Sequence, residues 1–321
     1  MAEAPPLAKY LASTDKKTRD KAVKNLSQFL SDSSRDAIPK PEMAKLWKGI
    51  FYCFWMSDKP LVQQALANEL AEIVLTIATT SASLAFLSGF WEAVVREWSG
   101  LDRLRMDKYY MLVRRFVNAS FRLLMRAGWD TDACEEYNGI LTRTGGPLCP
   151  DDNRVPGSLS YHIADIYLEE LDKALSNPPI PDPLPAPLST LLSPFFFIAA
   201  RTPSAITYKR IQSSILDPMF IALNPSRAKE EDSSPQKKRL RLDEPTFENL
   251  VGNACMSDPG KEGVVGRGTL RGSLLRRMFE IASEQDTRDS NRRKLYAVWR
   301  SCREEDEEGE GGSDERLLDA S

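Results

Sequence analysis

A single histidine in 321 residues, His162, narrows the chemistry open to this chain. A Ser-His-Asp triad would have to use it, and a metal site built from several histidines is excluded. It lies in SLSYHIADIYLEEL among Leu159, Ile163, Ile166 and Leu171 on one helix face, and reads as an ordinary packed or surface histidine. Cysteine is sparse too. Cys53, Cys134, Cys149, Cys255 and Cys302 are odd in number, widely spaced and form no C-x-x-C pair. That pattern gives neither a disulfide framework nor a zinc site, and it fits a reducing compartment, cytosol or nucleus. Long apolar runs are missing. The most apolar stretch, LLSPFFFIAA at 191–200, holds Pro194 and is too short to span a bilayer. The opening MAEAPPLAKY has no basic segment leading into an apolar run, so no secretory signal is expected. Neither sign of charge dominates: 43 Lys and Arg face 46 Asp and Glu, a net charge of −3. Any nucleic-acid contact must therefore come from a local basic face. No membrane, cofactor, metal or small-molecule substrate is expected as a partner.

Helical periodicity fills most of what remains, on a composition that is 42% hydrophobic and 28% charged. In STDKKTRDKAVKNLSQFLSD, Ser13 or Thr14 can cap a helix with Val23, Leu26 and Leu30 on one face. PEMAKLWKGIFYCFWM places Pro41 near a first turn and presents Leu46, Trp47, Ile50, Phe54 and Trp55. Ser57 or Asp58 is positioned to cap the next helix, with stripe Leu66, Leu70, Ile73, Val74 and Ile77. SASLAFLSGFWEAVVREW follows, closed by Gly100 as a C-terminal glycine. Asp102 then restarts the chain into a long helix ending near Gly128, and weaker helices follow over 131–143 and 158–175. NPPIPDPLPAPL at 177–188 is a proline-rich spacer, with two further helices behind it. No segment up to 223 alternates as a strand would. The fold class is therefore all-α: an irregular HEAT-like α-solenoid of antiparallel helical pairs over 1–223, without a fixed-period repeat. Beyond it the character changes. Residues 224–268 read as a disordered linker with a basic cluster, 269–303 as short basic helices, and 304–321 as an acidic disordered tail.

REWSGLDRLRMDKYYMLVRR, residues 96–115, packs nine charges and three aromatics into twenty positions. At 100° per residue Lys108, Arg115, Arg122 and Arg126 fall within about 40° of one another, with Arg105 about 60° from Lys108. Tyr110, Val113, Val117, Phe121 and Leu124 lie opposite. The helix thus has a core face and a basic ridge with no acid of its own, and Arg105, Lys108, Arg115, Arg122 and Arg126 are the candidate RNA-binding residues. A solvated face is the plainer alternative. On this reading, reversing Lys108, Arg115 and Arg122 together would spare the fold and weaken binding. Asp102 is free to cap and Asp107 to sit favourably in the first turns.

Other motifs carry less. FWMSDKPLVQQ at 54–64 makes sense as a tight inter-helix turn with Asp58 capping and Pro60 fixing φ, and it has no nucleophile with a base. QKKRLR places Lys237, Lys238, Arg239 and Arg241 in a polar segment, the pattern of a nuclear-localisation signal. GVVGRGTLRG lacks the strand that a phosphate-binding loop needs; Arg267 and Arg271 beside its glycines could touch RNA but are too few to argue from. Residues 287–300 mix Arg292, Arg293, Lys294 and Arg300 with Tyr296 and Trp299, as a partner- or RNA-binding helix would.

Four blocks occur in order: LWKGIFYCFWMSDKPLVQQ, FWEAVVREWSGLDRLRMDKYYMLVRRFVNASFRLL, HIADIYLEELDKAL and PFFFIAARTPS. Together they resemble the eukaryotic ribosomal RNA processing protein 1 family over residues 7–222. The family's hallmarks match Trp55, Asp58, Lys59, Pro60, Arg96, Trp98, Asp102, Arg103, Arg105, Asp107 and Lys108 here. The resemblance implies an all-helical, HEAT-like protein without catalytic activity, located in the nucleus and nucleolus. It implies action in the pre-60S particle on 27S pre-rRNA, towards 5.8S and 25S/28S rRNA, among pre-rRNA, other large-subunit assembly factors and ribosomal proteins. Nothing of the family pattern is recognisable beyond 223. The rival on the same fold is a helical-repeat protein-binding adaptor of nuclear transport or trafficking without RNA. An RNA-cutting enzyme would need clustered acids with a metal or a cofactor pocket, and the sequence offers neither.

Overall fold

The computed structural model describes residues 7–32, 38–225 and 246–318, with side chains as far as Asp306. The basic cluster Lys237, Lys238, Arg239 and Arg241 lies outside the described residues. The chain divides into two compact units: Met1–Ile166 with Asn177–Pro183, and Tyr167–Ser176 with Leu184–Ser321. No described helix is long and apolar enough to cross a membrane.

The first unit holds α1 (Leu7–Leu11), α2 (Lys16–Ser31), α3 (Lys40–Trp55), α4 (Pro60–Thr76), α5 (Thr80–Glu97), α6 (Arg103–Arg126) and α7 (Thr131–Thr142), with the start of α8 (Gly157–Ser176). Within it, helices two places apart pack on one another, α2 on α4 and α4 on α6, α1 on α3, α3 on α5 and α5 on α7, and α1 also packs on α2. That is the two-layer stacking of an irregular helical solenoid, as the sequence led one to expect. The starts are set by short polar side chains. Asp15, Thr79, Asp102 and Asp130 each accept a hydrogen bond from a backbone N–H of the first turn. The cap of α2 is thus Asp15 rather than Ser13 or Thr14, because its carboxylate also takes the Thr18 hydroxyl at 2.7 Å. Gly100 does not close α5 directly; Trp98–Gly100 tightens into a 3₁₀ turn first.

Trp47 of α3 is the centre of the core. Its ring centroid lies 4.5 Å from Phe86, 5.4 Å from Phe90 and 5.7 Å from Phe116. Its indole N–H is buried and donates to the Phe86 carbonyl at 2.9 Å, so the ring sits in the core without an unsatisfied donor. Close approach of α3 and α5 requires Gly89: a Cβ there would lie 2.3 Å from the Trp47 Cδ1.

The second unit contains the rest of α8, then α9 (Leu188–Arg201), α10 (Ala205–Ile211), a π-helical turn over Gln212–Leu216, and α11 (Asp217–Ala222). It continues with α12 (Glu248–Gly252), α13 (Pro259–Glu262), α14 (Arg267–Ser283) and α15 (Asp289–Leu318). Among the described residues the one strand pairing is a two-residue parallel bridge, Ala186–Pro187 (β1) with Ala254–Cys255 (β2).

Two sequence expectations are corrected here. The break expected at 223 is not a domain boundary, because 246–306 pack on 184–223 within one unit. Residues 246–268 are no loose linker. Leu250, Val251, Ala254 and Cys255 are buried, the Ala186 N–H donates to the Asn253 carbonyl at 2.8 Å, and the Leu250 N–H donates to Asp172 at 2.8 Å. Their apolar residues are too few and too irregular to show a period, yet they complete a core supplied from elsewhere in the chain. The acidic end likewise continues α15 to Leu318 rather than starting a separate tail.

Replacing Gly89 with Ala should cost about 1–3 kcal/mol of stability, since the rigid Trp47 indole must move out of a filled core. Urea unfolding of the G89A variant, set against wild type, measures this directly.

Candidate functional site

The hallmark residues converge on the joint where α3 turns into α4 and α6 begins. A helix ends with carbonyls that have no partner within it. In α3 each is satisfied. The Tyr52 carbonyl accepts from the Met56 N–H at 3.1 Å and that of Phe54 from the Ser57 N–H at 3.0 Å. The Cys53 carbonyl accepts from the Ser57 hydroxyl at 3.3 Å. The last, Trp55, accepts from the Lys108 ammonium at 2.7 Å, and the same ammonium donates to the Ser57 carbonyl at 2.8 Å. One cation from α6 therefore closes the C-terminus of α3, where the helix dipole favours positive charge. Its Nζ also lies 5.6 Å from the centre of the Phe54 ring.

Neighbours lock this arrangement. The Tyr109 hydroxyl donates to the Phe51 carbonyl at 2.9 Å, and the Tyr109 ring packs on Phe51 and Phe54 with centroids 4.7 and 5.2 Å away. The Arg105 guanidinium stacks 4.6 Å from the Trp55 ring centre and pairs with Asp102. Burial pushes the Asp102 carboxyl up, but the hydrogen bonds and charge of Arg105 outweigh it and hold the group below its ordinary value. Burial lowers the Lys108 pKa to about 8, with Asp58 opposing the shift. The cap of α4 is not Asp58 or Ser57. Lys59 stands at that position with no side-chain cap, and the Gln63 amide donates to the Ser57 and Asp58 carbonyls at 2.9 and 3.1 Å.

Behind the joint, the Trp98 indole N–H donates to the Ser158 hydroxyl at 3.0 Å. Tyr110 packs between Trp98 and His162, with centroids 5.5 and 4.4 Å away. His162 Nε2 lies 3.0 Å from the Tyr110 carbonyl. Burial lowers its pKa. Of the two ordinary roles the sequence left open, surface or packed, it takes the packed one.

The basic ridge of α6 does not face open solvent as the helical wheel implied. Lys108 is buried, only 6% exposed. Arg122 pairs with Glu72 of α4, and Arg126 donates to the Leu75 carbonyl of α4. Arg105 is held by Asp102 and Trp55. Of the five candidates, Arg115 is the exposed one. The wheel sees only its own helix; the acid and the carbonyls that meet the ridge come from α3, α4 and the turn between them. Reversal of Lys108, Arg115 and Arg122 together is therefore expected to damage the fold rather than spare it. Arg271, considered beside the glycines, is likewise internal: it is 1% exposed, donates to the Phe220 carbonyl and to that of Cys302 at 3.1 Å, and pairs with Glu305 at 2.8 Å. The remaining hallmarks divide cleanly. Trp98 is buried and Trp55 half-buried, while Asp58, Lys59, Pro60, Arg96, Arg103 and Asp107 are exposed or partly exposed. Leu104 between them is 93% exposed and Leu61 is 79% exposed.

Lys108→Met should cost about 1–3 kcal/mol, because the Trp55 carbonyl at the end of α3 loses its donor and the Ser57 carbonyl keeps only the Gln63 amide. Arg115→Glu should stay within about 0.5 kcal/mol of wild type. Parallel urea titrations decide it, and equal effects would return Lys108 to the surface.

The family model described as "Nucleolar protein,Nop52" matches residues 2–299, which reaches well into the second unit and past the end of the resemblance seen in the sequence. Ribosomal RNA processing protein 1 homolog A of Homo sapiens is 31% identical over 332 residues, covering 93% of this chain and 70% of that protein. Homolog B of Homo sapiens is 38% identical over 198 residues, covering 61% of this chain but 25% of that protein. The Dictyostelium discoideum homolog is 25% identical over 307 residues, covering 91% of this chain and 57% of that protein. The chain belongs to the Nop52 family of nucleolar proteins, the ribosomal RNA processing protein 1 family, and with it to ribosome biogenesis.

Proposed function

We propose that the chain is a non-catalytic assembly factor of the nucleolar pre-60S particle. In this reading it binds pre-rRNA and other large-subunit assembly factors, and ribosomal proteins where they adjoin. By holding the precursor in a processable shape it promotes maturation of 27S pre-rRNA towards 5.8S and 25S/28S rRNA. It binds no cofactor and cuts no RNA itself.

One observation carries the reading: the hallmark residues that the joint does not consume stay on its surface. Asp58, Lys59, Arg103 and Asp107 reach solvent around the turn that Lys108 clamps. Two carboxylates, two cations and the exposed Leu61 and Leu104 form a mixed surface, suited to a protein neighbour more than to a run of phosphates. Cations alone would suit phosphate better. The joint is therefore assigned to an assembly factor, and RNA contact to other parts of the molecule. An adaptor that binds protein without RNA shares this surface, and the experiment separates the two.

Sedimentation of the tagged protein from cell extract should place it with 27S-containing particles, and RNase should release it. A free or RNase-insensitive peak would favour the adaptor. Purified protein incubated with pre-rRNA and Mg²⁺ should leave the RNA intact; cleavage would sink the non-catalytic reading.

A further inference from the structure

The helix pair α14 and α15 of the second unit presents aromatic rings to its surface. Phe279 of α14 is 40% exposed. Its ring meets Tyr296 and Trp299 of α15 at centroid distances of 5.0 and 5.2 Å. The Arg303 guanidinium lies 5.2 Å from the centre of the Trp299 ring. Phe279 and Trp299 line an open groove of about 330 Å³ together with Gly272, Arg276 and Arg303. A Cβ on Gly272 would meet nothing within 4 Å, so that wall of the groove is bare. Three adjoining rings left partly in water form a patch that calls for a partner.

The charges around the rings have been sorted by the fold. Arg292 is spent on the C-terminus of α14, donating to the Ala282, Glu284 and Thr287 carbonyls at 3.0, 3.0 and 3.2 Å. Lys294 sits over the Tyr208 ring at 4.6 Å, and Arg277 pairs with Glu280 at 3.4 Å. Arg293, Tyr296, Arg300 and Arg303 recur on α15 at i, i+3, i+7 and i+10, one face of a helix. Arg293, Arg300, Arg303 and, across the groove, Arg276 are exposed, with the Arg293 Nε also donating to the Asp289 carbonyl at 3.4 Å. Acids adjoin them: Asp306, which lines the groove, is 2.8 Å from the Arg271 guanidinium, Glu280 is the partner of Arg277, and Glu304 is exposed on the turn after Arg300.

We infer that this face is a stacking site for the unpaired bases of RNA, with Phe279, Tyr296 and Trp299 as the platform and Arg276, Arg293, Arg300 and Arg303 as the phosphate contacts. The inference rests on the reading of the chain as a pre-rRNA-bound factor and names where single-stranded RNA is held. Flat rings beside arginines are what a splayed-out base and its backbone require. Duplex RNA would engage the arginines but offer the rings no base face, and an acidic peptide would do the same.

The test uses the full chain and fluorescence anisotropy with a labelled single-stranded oligouridylate, an RNA duplex of equal length and an oligoglutamate peptide. Oligouridylate should bind tightest. F279A/W299A should weaken it by about tenfold or more, and W299F, which keeps a ring, should largely preserve it. Because the double variant could disturb helix packing, R276Q/R293Q/R300Q/R303Q leaves every ring in place. It should weaken binding and flatten the salt dependence by about 0.7 in slope for each phosphate no longer neutralised. Tighter binding of duplex or oligoglutamate, or ring and arginine variants that bind oligouridylate like wild type, would overturn the site. If those variants still sediment with preribosomal particles, the assembly reading survives that result. A wild-type chain absent from the particles would overturn the reading and, with it, this assignment.

Discussion

The first unit depends on one buried ammonium. Lys108 reaches out of α6 to the last carbonyls of α3 and its turn, at 2.7 and 2.8 Å. A helix terminus buried without partners is costly, and water cannot serve carbonyls that a neighbouring helix covers. A lysine suits this position because its stem packs along apolar surface while its head supplies several donors and a charge at the negative end of the helix. Once α3 is closed in this way, the Asp58–Pro60 turn is fixed and α4 lies on α6. The joint then stands as a rigid surface on which exposed charges keep defined places.

The second unit uses the same device with a different cation. Arg271 is buried and serves the carbonyls of Phe220 and Cys302 while pairing with Glu305. Its planar guanidinium, with donors in a fixed fork, joins α11, α14 and α15 at once. In both units a buried cation is consumed by main-chain carbonyls of neighbouring elements, Lys108 by Trp55 and Ser57 and Arg271 by Phe220 and Cys302. What reaches solvent is the remainder: mixed charge at the joint of the first unit, arginines beside rings in the second.

The all-α class and most helix spans were legible from periodicity and caps; Asp102 and Asp130 cap as such residues do. The family blocks were legible too, and they located the joint. What the sequence concealed was the destination of each charge. Lys108, Arg122 and Arg126 align on one helix face with no acid of that helix beside them, which reads as a free ridge. Glu72 and the Trp55, Ser57 and Leu75 carbonyls come from the neighbouring helices and turn. No single-helix pattern contains that information. Residues 246–268 were hidden for a related reason: Leu250, Val251 and Cys255 have no period, and their burial is decided by α8, α9 and the β1 bridge partner that close around them. The exposure of Arg103 and Asp107 inside so specific a motif was likewise invisible until the buried members had been separated from them.

The central claim is that the hallmark charges serve two ends, with Lys108 and Arg105 holding the joint and Arg103 and Asp107 meeting a neighbour. The most direct measurement is the thermal midpoint and particle sedimentation of the double reversal R103E/D107R. The account predicts an unchanged midpoint with loss from pre-60S fractions. A lowered midpoint, or wild-type sedimentation, would contradict it.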